Sequence, residues 1–248
     1  MSGKSTDKPR LDALLHQRGF FDSRAGAQAA VMAGEVYVDG RCIDKAGTRV
    51  APGVHIKIKP RSLKYVSRGG RKLEGAIRDM AVDIEGKVVL DVGASTGGFT
   101  DCLLKHGARK VYALDVGHGL IDEKLRVDRR VVLLERVNVR RATPDMFDEQ
   151  PEMAVVDVSF ISLKLVLPVL KSFGIGTVIA LVKPQFEVGR ADASRGKGVI
   201  RDPKTRKKAI NGIIFFAESV GFKVVDKAQS VLSGPKGNVE TFIYMELI

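Results

Sequence analysis

The chain has 248 residues, 44% of them hydrophobic, and a formal net charge of +12. That apolar content supports packed cores and argues against a disordered chain. Two distant cysteines and four histidines without ligand spacing exclude a disulfide framework and point away from a metal site.

No apolar run approaches the ~20 residues that span a bilayer, and the N-terminus is polar rather than signal-like, so the sequence predicts a cytoplasmic protein that does not enter a membrane. The charge is uneven. Residues 1–72 hold 15 Lys+Arg against 6 Asp+Glu, and the remainder 26 against 23. A basic module joined to a nearly balanced one implies a polyanionic partner, nucleic acid before any other.

Residues 1–9 read as a loose polar tail. Arg10 to Arg18 predicts a short helix with Leu11, Leu14 and Leu15 on one face. Ser23 caps a second, Arg24 to Met32, which Gly34 ends. Val36 and Val38 alternate as a strand before a turn at Asp39-Gly40, Val54, Ile56 and Ile58 alternate again, and Pro60 closes the module. The boundaries expected are a first domain over 1–60, a linker over 61–66 and a second domain over 67–248. The run Arg10-Leu11-Asp12-x-Leu14-Leu15, with Arg18-Gly19, Ser23-Arg24-x-x-Ala27 and Gly34-x-Val36-x-Val38-Asp39-Gly40, resembles the RNA-binding domain first seen in ribosomal protein S4. The resemblance implies a small α+β RNA-binding domain with Arg10, Arg18, Arg24 and Arg41 available to phosphates; Arg68, just past the linker, is a fifth candidate.

From Lys87 onward strand and helix alternate. Strands are predicted at Lys87–Leu90, Lys110–Leu114, Val131–Leu134, Met153–Val156 and Val178–Val182, with helices between them, among them Leu163–Ser172. A helix over Lys204–Val220 leads to two final strands, Lys223–Val231 and Glu240–Leu247. The pattern predicts an α/β fold of the class I methyltransferase (Rossmann-like) kind: seven strands, mostly parallel, one reversed.

Beyond the first of these strands lies Asp91-Val92-Gly93-Ala94-Ser95-Thr96-Gly97-Gly98. A dinucleotide fingerprint needs glycine where Ser95 stands, and a phosphate loop needs Gly-Lys-Ser/Thr, which is missing. The form suits S-adenosylmethionine, with Asp91, Gly93, Ala94, Ser95, Thr96, Gly97 and Gly98 forming the cradle. Asp115, ending the second strand, is placed for ribose hydroxyls, and Asn138, after the third, for the adenine end. Lys72, Asp157, Lys183 and Glu240 should converge on the carboxyl edge of the same sheet if the last strand is reversed and a helix over Gly70–Met80 starts there.

Ser67-Arg68-Gly69-Gly70-Arg71-Lys72-Leu73, the glycine loop, Asp157-Val158-Ser159-Phe160-Ile161-Ser162, Lys183-Pro184-Gln185-Phe186-Glu187 and Gly237-Asn238-Val239-Glu240 resemble the TlyA family, rRNA ribose 2′-O-methyltransferases sometimes labelled hemolysins, with an FtsJ-like catalytic domain. The resemblance implies a catalytic tetrad of Lys72, Asp157, Lys183 and Glu240. Lys183 would act as base or stabilise the alkoxide, Asp157 would orient it, Lys72 would add positive charge and Glu240 would position a lysine. It also implies rRNA or a ribosomal subunit as partner and a cytidine as target. The end at Ile248 resembles members acting on the large subunit. Amino-group methylation would call for Asn/Asp-Pro-Pro-aromatic where Asp157-Val158-Ser159-Phe160 stands, and pyrimidine carbon methylation for a cysteine at the cleft, so oxygen is the consistent acceptor. The basic segment Gly189–Pro203 is expected to contact RNA or close over the site. A catalytically silent RNA-binding or ribosome-assembly factor on this scaffold is the alternative, a membrane-lytic protein the weaker one. Oligomeric state stays open.

Overall fold

The structure, a computed structural model, describes residues 8–21, 23–32, 34–58, 64–189, 196, 198–234 and 236–248. The chain divides into two compact units, 1–62 and 63–248.

In the first unit α1 (Leu11–Gln17) and α2 (Arg24–Met32) pack on a three-stranded sheet of order β2-β1-β3, with β1 Val36–Val38, β2 Arg41–Cys42 and β3 Ile56–Ile58. Leu11, Leu15, Val31 and Val36 are fully buried between the layers. Ser23 Oγ accepts from Gly26 N at 3.1 Å, which caps α2. Asp39 (φ +49°) and Gly40 (φ +82°) make the tight turn between β1 and β2. Asp12 is also fully buried and takes hydrogen bonds from Arg10, Gln28 and its neighbour's backbone N–H. The Arg10 guanidinium beside it holds this carboxyl well below the usual carboxylate range.

The second unit carries α3 (Arg68–Asp79), β4 (Val88–Val92), α4 (Gly98–Lys105), β5 (Lys110–Asp115), α5 (Glu123–Arg126), β6 (Val131–Glu135), β7 (Met153–Val156), α6 (Leu167–Ser172), β8 (Thr177–Val182), α7 (Pro184–Glu187), α8 (Pro203–Ser219), β9 (Phe222–Gln229) and β10 (Thr241–Leu247). The sheet order is β6-β5-β4-β7-β8-β10-β9. Strands β4 to β8 pair in parallel, while β10 is antiparallel to both neighbours, so one strand of seven is reversed. Strands β4, β7 and β8 are apolar almost end to end because helices cover both faces, giving one core cluster on each side of the sheet.

Two expectations are corrected. The helix predicted from Gly70 begins at Arg68, capped by Ser67, so Lys72 lies in its second turn. The glycines there do not break the helix: a Cβ on Gly70 would run into the Tyr65 ring. The predicted helix Leu163–Ser172 is split into a 3-10 turn at Leu163–Leu165 and α6, because Pro168 has no N–H to continue an earlier ladder. The described part of the expected linker, Lys64 to Val66, packs into the second unit. Tyr65 is buried and Val66 N donates to Asp101 Oδ2 at 2.8 Å.

Asp91 sits inside β4, fully buried, and accepts from Thr100 Oγ1 at 2.7 Å, which ties the strand to α4. Burial pushes its pKa up to about 7. An acid that ionises near ~4 in the unfolded chain and higher in the folded one makes stability fall as pH rises through that window. Asp91→Asn keeps an oxygen for Thr100 and removes the ionisation. Its melting temperature relative to wild type should therefore rise between about pH 5 and about pH 8; a difference that stays constant with pH would refute the assignment.

Candidate active site

Strand β4 ends in the glycine loop, and β7 and β8 end at Asp157 and Lys183 along the same sheet edge. Because β10 runs the other way, Glu240, immediately before it, reaches that edge too. Helix α3 brings in Lys72. The four side chains line one cleft of about 700 Å³.

They are organised as two ion pairs. Lys72 Nζ lies 2.5 Å from Glu240 Oε2, and both residues are buried, at 5% and 1% exposure. Lys183 Nζ lies 2.6 Å from Asp157 Oδ1 and donates to Ser159 Oγ at 2.9 Å. Ser159 was not singled out by the sequence, though its position two residues after Asp157 and beyond a strand end is the available signal. Glu187 joins the two loops that hold the second pair. It accepts from Ser162 Oγ at 2.5 Å and Leu163 N at 2.9 Å.

The glycine loop has a tighter role than expected. A Cβ on Gly93 (φ +90°) would lie 2.8 Å from the Asp157 carbonyl oxygen. One on Gly97 would strike Leu125, and one on Gly98 would strike Ser67 Oγ. These three glycines let protein elements approach each other. Gly93, Ala94, Ser95, Thr96 and Gly98 line the cleft, whereas Gly97 and the buried Asp91 do not.

Ser95 takes a left-handed conformation (φ +51°), and its N–H donates to Asp115 Oδ2 at 2.8 Å. Asp115 Oδ1 accepts from Gly117 N at 2.7 Å. Asp115 and Asn138 line a second cleft of about 600 Å³ that shares Gly93, Ser95, Asp157, Ser159 and Phe160 with the first. Val116, Leu120, Val137, Ile161 and Leu165 form its apolar walls. Asn138 uses Oδ1 to cap the 3-10 turn that follows, accepting from Arg140 N at 3.1 Å.

The structure adds a further residue that no motif reading assigned. Phe160 is 92% exposed, has a positive φ of +66°, and lines both clefts with its ring 5.2 Å from that of Phe186. An exposed phenylalanine held in a disfavoured backbone region marks a site where structure has been given over to function.

The candidate RNA-binding arginines are not brought together. Arg10 and Arg24 both pair with Asp12, and Arg18 donates to the carbonyls of Val54 and Pro52. Arg41 is exposed on β2, and Arg68 is exposed at the cleft of the second unit. Of the segment Gly189–Pro203, residues 190–195 and 197 lie outside the described residues. Asn238 anchors its far end, accepting from Ile200 N at 2.9 Å and donating to Gly198 O at 2.8 Å. Among the described residues no group of His, Cys, Asp or Glu is arranged to hold a metal, and no helix is long and apolar enough to cross a membrane.

The donor set fits S-adenosylmethionine. Two adjoining clefts share a backbone turn, one ending at a strand-terminal carboxylate between apolar walls. In the other, Gln185 Oε1 and Glu240 Oε1 are buried without hydrogen-bond partners among the described residues.

Comparison with known proteins agrees with this geometry. Residues 65–247 match the FtsJ-like methyltransferase family and residues 9–56 the S4 domain. The chain is 41% identical to the 16S/23S rRNA (cytidine-2′-O)-methyltransferase TlyA of Mycobacterium tuberculosis, over 96% of its own length and 90% of the relative's. It is 44% identical to Hemolysin A of Brachyspira hyodysenteriae, over 93% and 97%. A solved structure from Streptococcus thermophilus that carries a hemolysin name superposes with a TM-score of 0.76 at 42% identity, covering 98% of this chain and 90% of that one. The methyltransferase and hemolysin names thus fall on relatives of one architecture, and the chain belongs to the TlyA family, an S4 domain followed by an FtsJ-like methyltransferase domain.

Proposed function

We propose that the protein methylates the ribose 2′-oxygen of a cytidine in large-subunit rRNA, using S-adenosylmethionine. The carrying observation is the pair of lysine–carboxylate contacts at one cleft beside the glycine loop. The relatives' curated activity supports the same reading.

When bound, S-adenosylmethionine supplies an electrophilic methyl group. Asp115 would hold its ribose hydroxyls, the Gly93–Thr96 backbone its amino-acid end, and Gln185 would offer a buried acceptor beside it. A ribose hydroxyl is a weak nucleophile near neutrality, so the protein must draw its proton away as the new carbon–oxygen bond forms. Lys183 is the group placed for this. As the neutral amine it donates to Ser159 and keeps, at a position open to the 2′-oxygen, a lone pair that takes the hydroxyl proton as the methyl transfers, leaving an ammonium beside the Asp157 carboxylate. Asp157 and Ser159 fix that position, and Glu187 fixes the loops beneath them. Lys72, neutralised by Glu240, orders the neighbouring wall without leaving an unbalanced buried charge. Phe160 and Phe186 give an unstacked base an aromatic face.

Two substitutions separate chemistry from docking. Lys183→Ala should lower single-turnover transfer by roughly 10²–10⁴-fold with little change in cofactor affinity. With labelled S-adenosylmethionine and unmodified rRNA or subunits, label should appear in alkali-resistant dinucleotides; label in single nucleotides would mean base methylation and sink the reading. Phe160→Ala should weaken RNA binding about tenfold, the scale of one lost base–aromatic stack, and raise KM more than it lowers kcat. Unaltered RNA affinity in that variant would remove Phe160 from the site.

A further inference from the structure

A smaller groove of about 330 Å³ lies between α8 and the β9–β10 edge of the sheet. We propose that it is a second RNA subsite, taking an unpaired nucleotide beside the target and the phosphates that flank it. This rests on RNA being the substrate. The groove's floor is apolar, from Ile210 and Val239. Two carboxamides, Asn211 and Gln229, stand on its walls with two ammonium groups, Lys207 and Lys227. That combination matches the parts of one nucleotide: a flat apolar face for a base, amides for its edge, and cations for phosphate.

The groove is in register with the chemistry. Thr241, on its lining, follows Glu240 directly and pairs with Val182 on one side and Gln229 on the other. Val182 precedes Lys183. Thr241 lies on the Ile243 face of β10 and Glu240 on the Phe242 face, so the groove meets the same sheet edge as the cleft from the opposite face, two strands or about 10 Å from the strand that carries Lys183.

Charge selects the occupant. Neither Lys207 nor Lys227 forms an ion pair among the described residues, and Lys204 and Lys208 on the same helix form none either. The acid nearest Lys207 in sequence, Asp202, caps α8 through Lys204 N and Thr205 N, and Asp226, next to Lys227, accepts from the Lys227 backbone N–H at 2.7 Å rather than from its ammonium. Elsewhere in the second unit Arg109, Lys110, Arg126 and Arg130 each have a carboxylate partner. Arg206 is partly committed, donating to the Arg201 carbonyl at 2.9 Å, and so stiffens the groove's rim. Unpaired cations around a concave surface with an apolar floor lower their mutual repulsion when an anion binds.

The test measures binding of full-length protein to naked rRNA and to whole subunits across a salt series. Lys207→Ala/Lys227→Ala should weaken RNA binding about tenfold and reduce the salt slope by about 1.4, the value for two phosphates of a single strand. Asn211→Ala/Gln229→Ala should weaken binding without changing the slope. The control Lys124→Ala/Lys171→Ala should leave both near wild type, and an equal fall there would reduce the effect to general charge and overturn the proposal. Unchanged affinity and slope in the groove variants would overturn it too, and so would a loss seen only with whole subunits, which would assign the groove to an acidic protein surface. Transfer by the wild type decides the function; binding by these variants decides the groove.

Discussion

The buried contact between Lys72 and Glu240 is the constraint on which the site depends. It joins the second turn of α3 to the start of β10, 168 positions apart in sequence. Taking both charges out of water costs about several kcal/mol per ion, and their attraction recovers that only if the geometry is good. An apolar pair of similar volume would be no less stable. The pair makes sense as a positioning device: it holds a helix and a reversed strand against one another at the ligand edge. It also explains why the reversal matters. Were β10 parallel to its neighbours, Glu240 would stand at the opposite edge and Lys72 would be a buried charge without a partner.

Close approach is the second organising principle. The glycine loop looks, in sequence, like a surface shaped for a ligand. In the structure Gly93 admits the Asp157 carbonyl, and Gly98 admits Ser67 at the head of α3. The loop, the β7 end and the first turn of α3 are thereby packed into one body before any ligand arrives. Ser95 completes it, since its unfavourable backbone conformation is held by Asp115. A cradle fixed in this way loses little entropy on binding.

The topology was legible because it is written in long-range chemistry: apolar runs that fill buried parallel strands, and functional residues at the strand ends. What escaped the sequence was local. The start of α3 was misplaced because glycine normally signals a helix boundary, whereas Gly69 and Gly70 answer to Tyr65 and Phe99 packed against them. Phe160 gives no such signal in sequence, because it is its positive φ that accompanies its exposure. Arg10, Arg18 and Arg24 looked free because neither the burial of Asp12 nor the exposed carbonyls of Pro52 and Val54 can be seen in a sequence.

That last point bears on how a target is chosen. Every nucleotide of an RNA carries a 2′-hydroxyl, so two lysines and two carboxylates cannot by themselves select one. Selection has to come from surfaces beyond the reacting atoms. The basic character of residues 1–72 suggests an N-terminal module that supplies most of it. Yet Arg10 and Arg24 of that module each share the buried Asp12, and Arg18 donates to the carbonyls of Pro52 and Val54. A cation that already has a carboxylate partner offers an incoming phosphate less than one without. Arg41 in the first unit, with Arg68 and the lysines of α8 and β9 in the second, are among the cations that have no carboxylate partner among the described residues. Under the proposed function, recognition is shared between the two units, with the aromatic face at Phe160 reading the base that the others deliver.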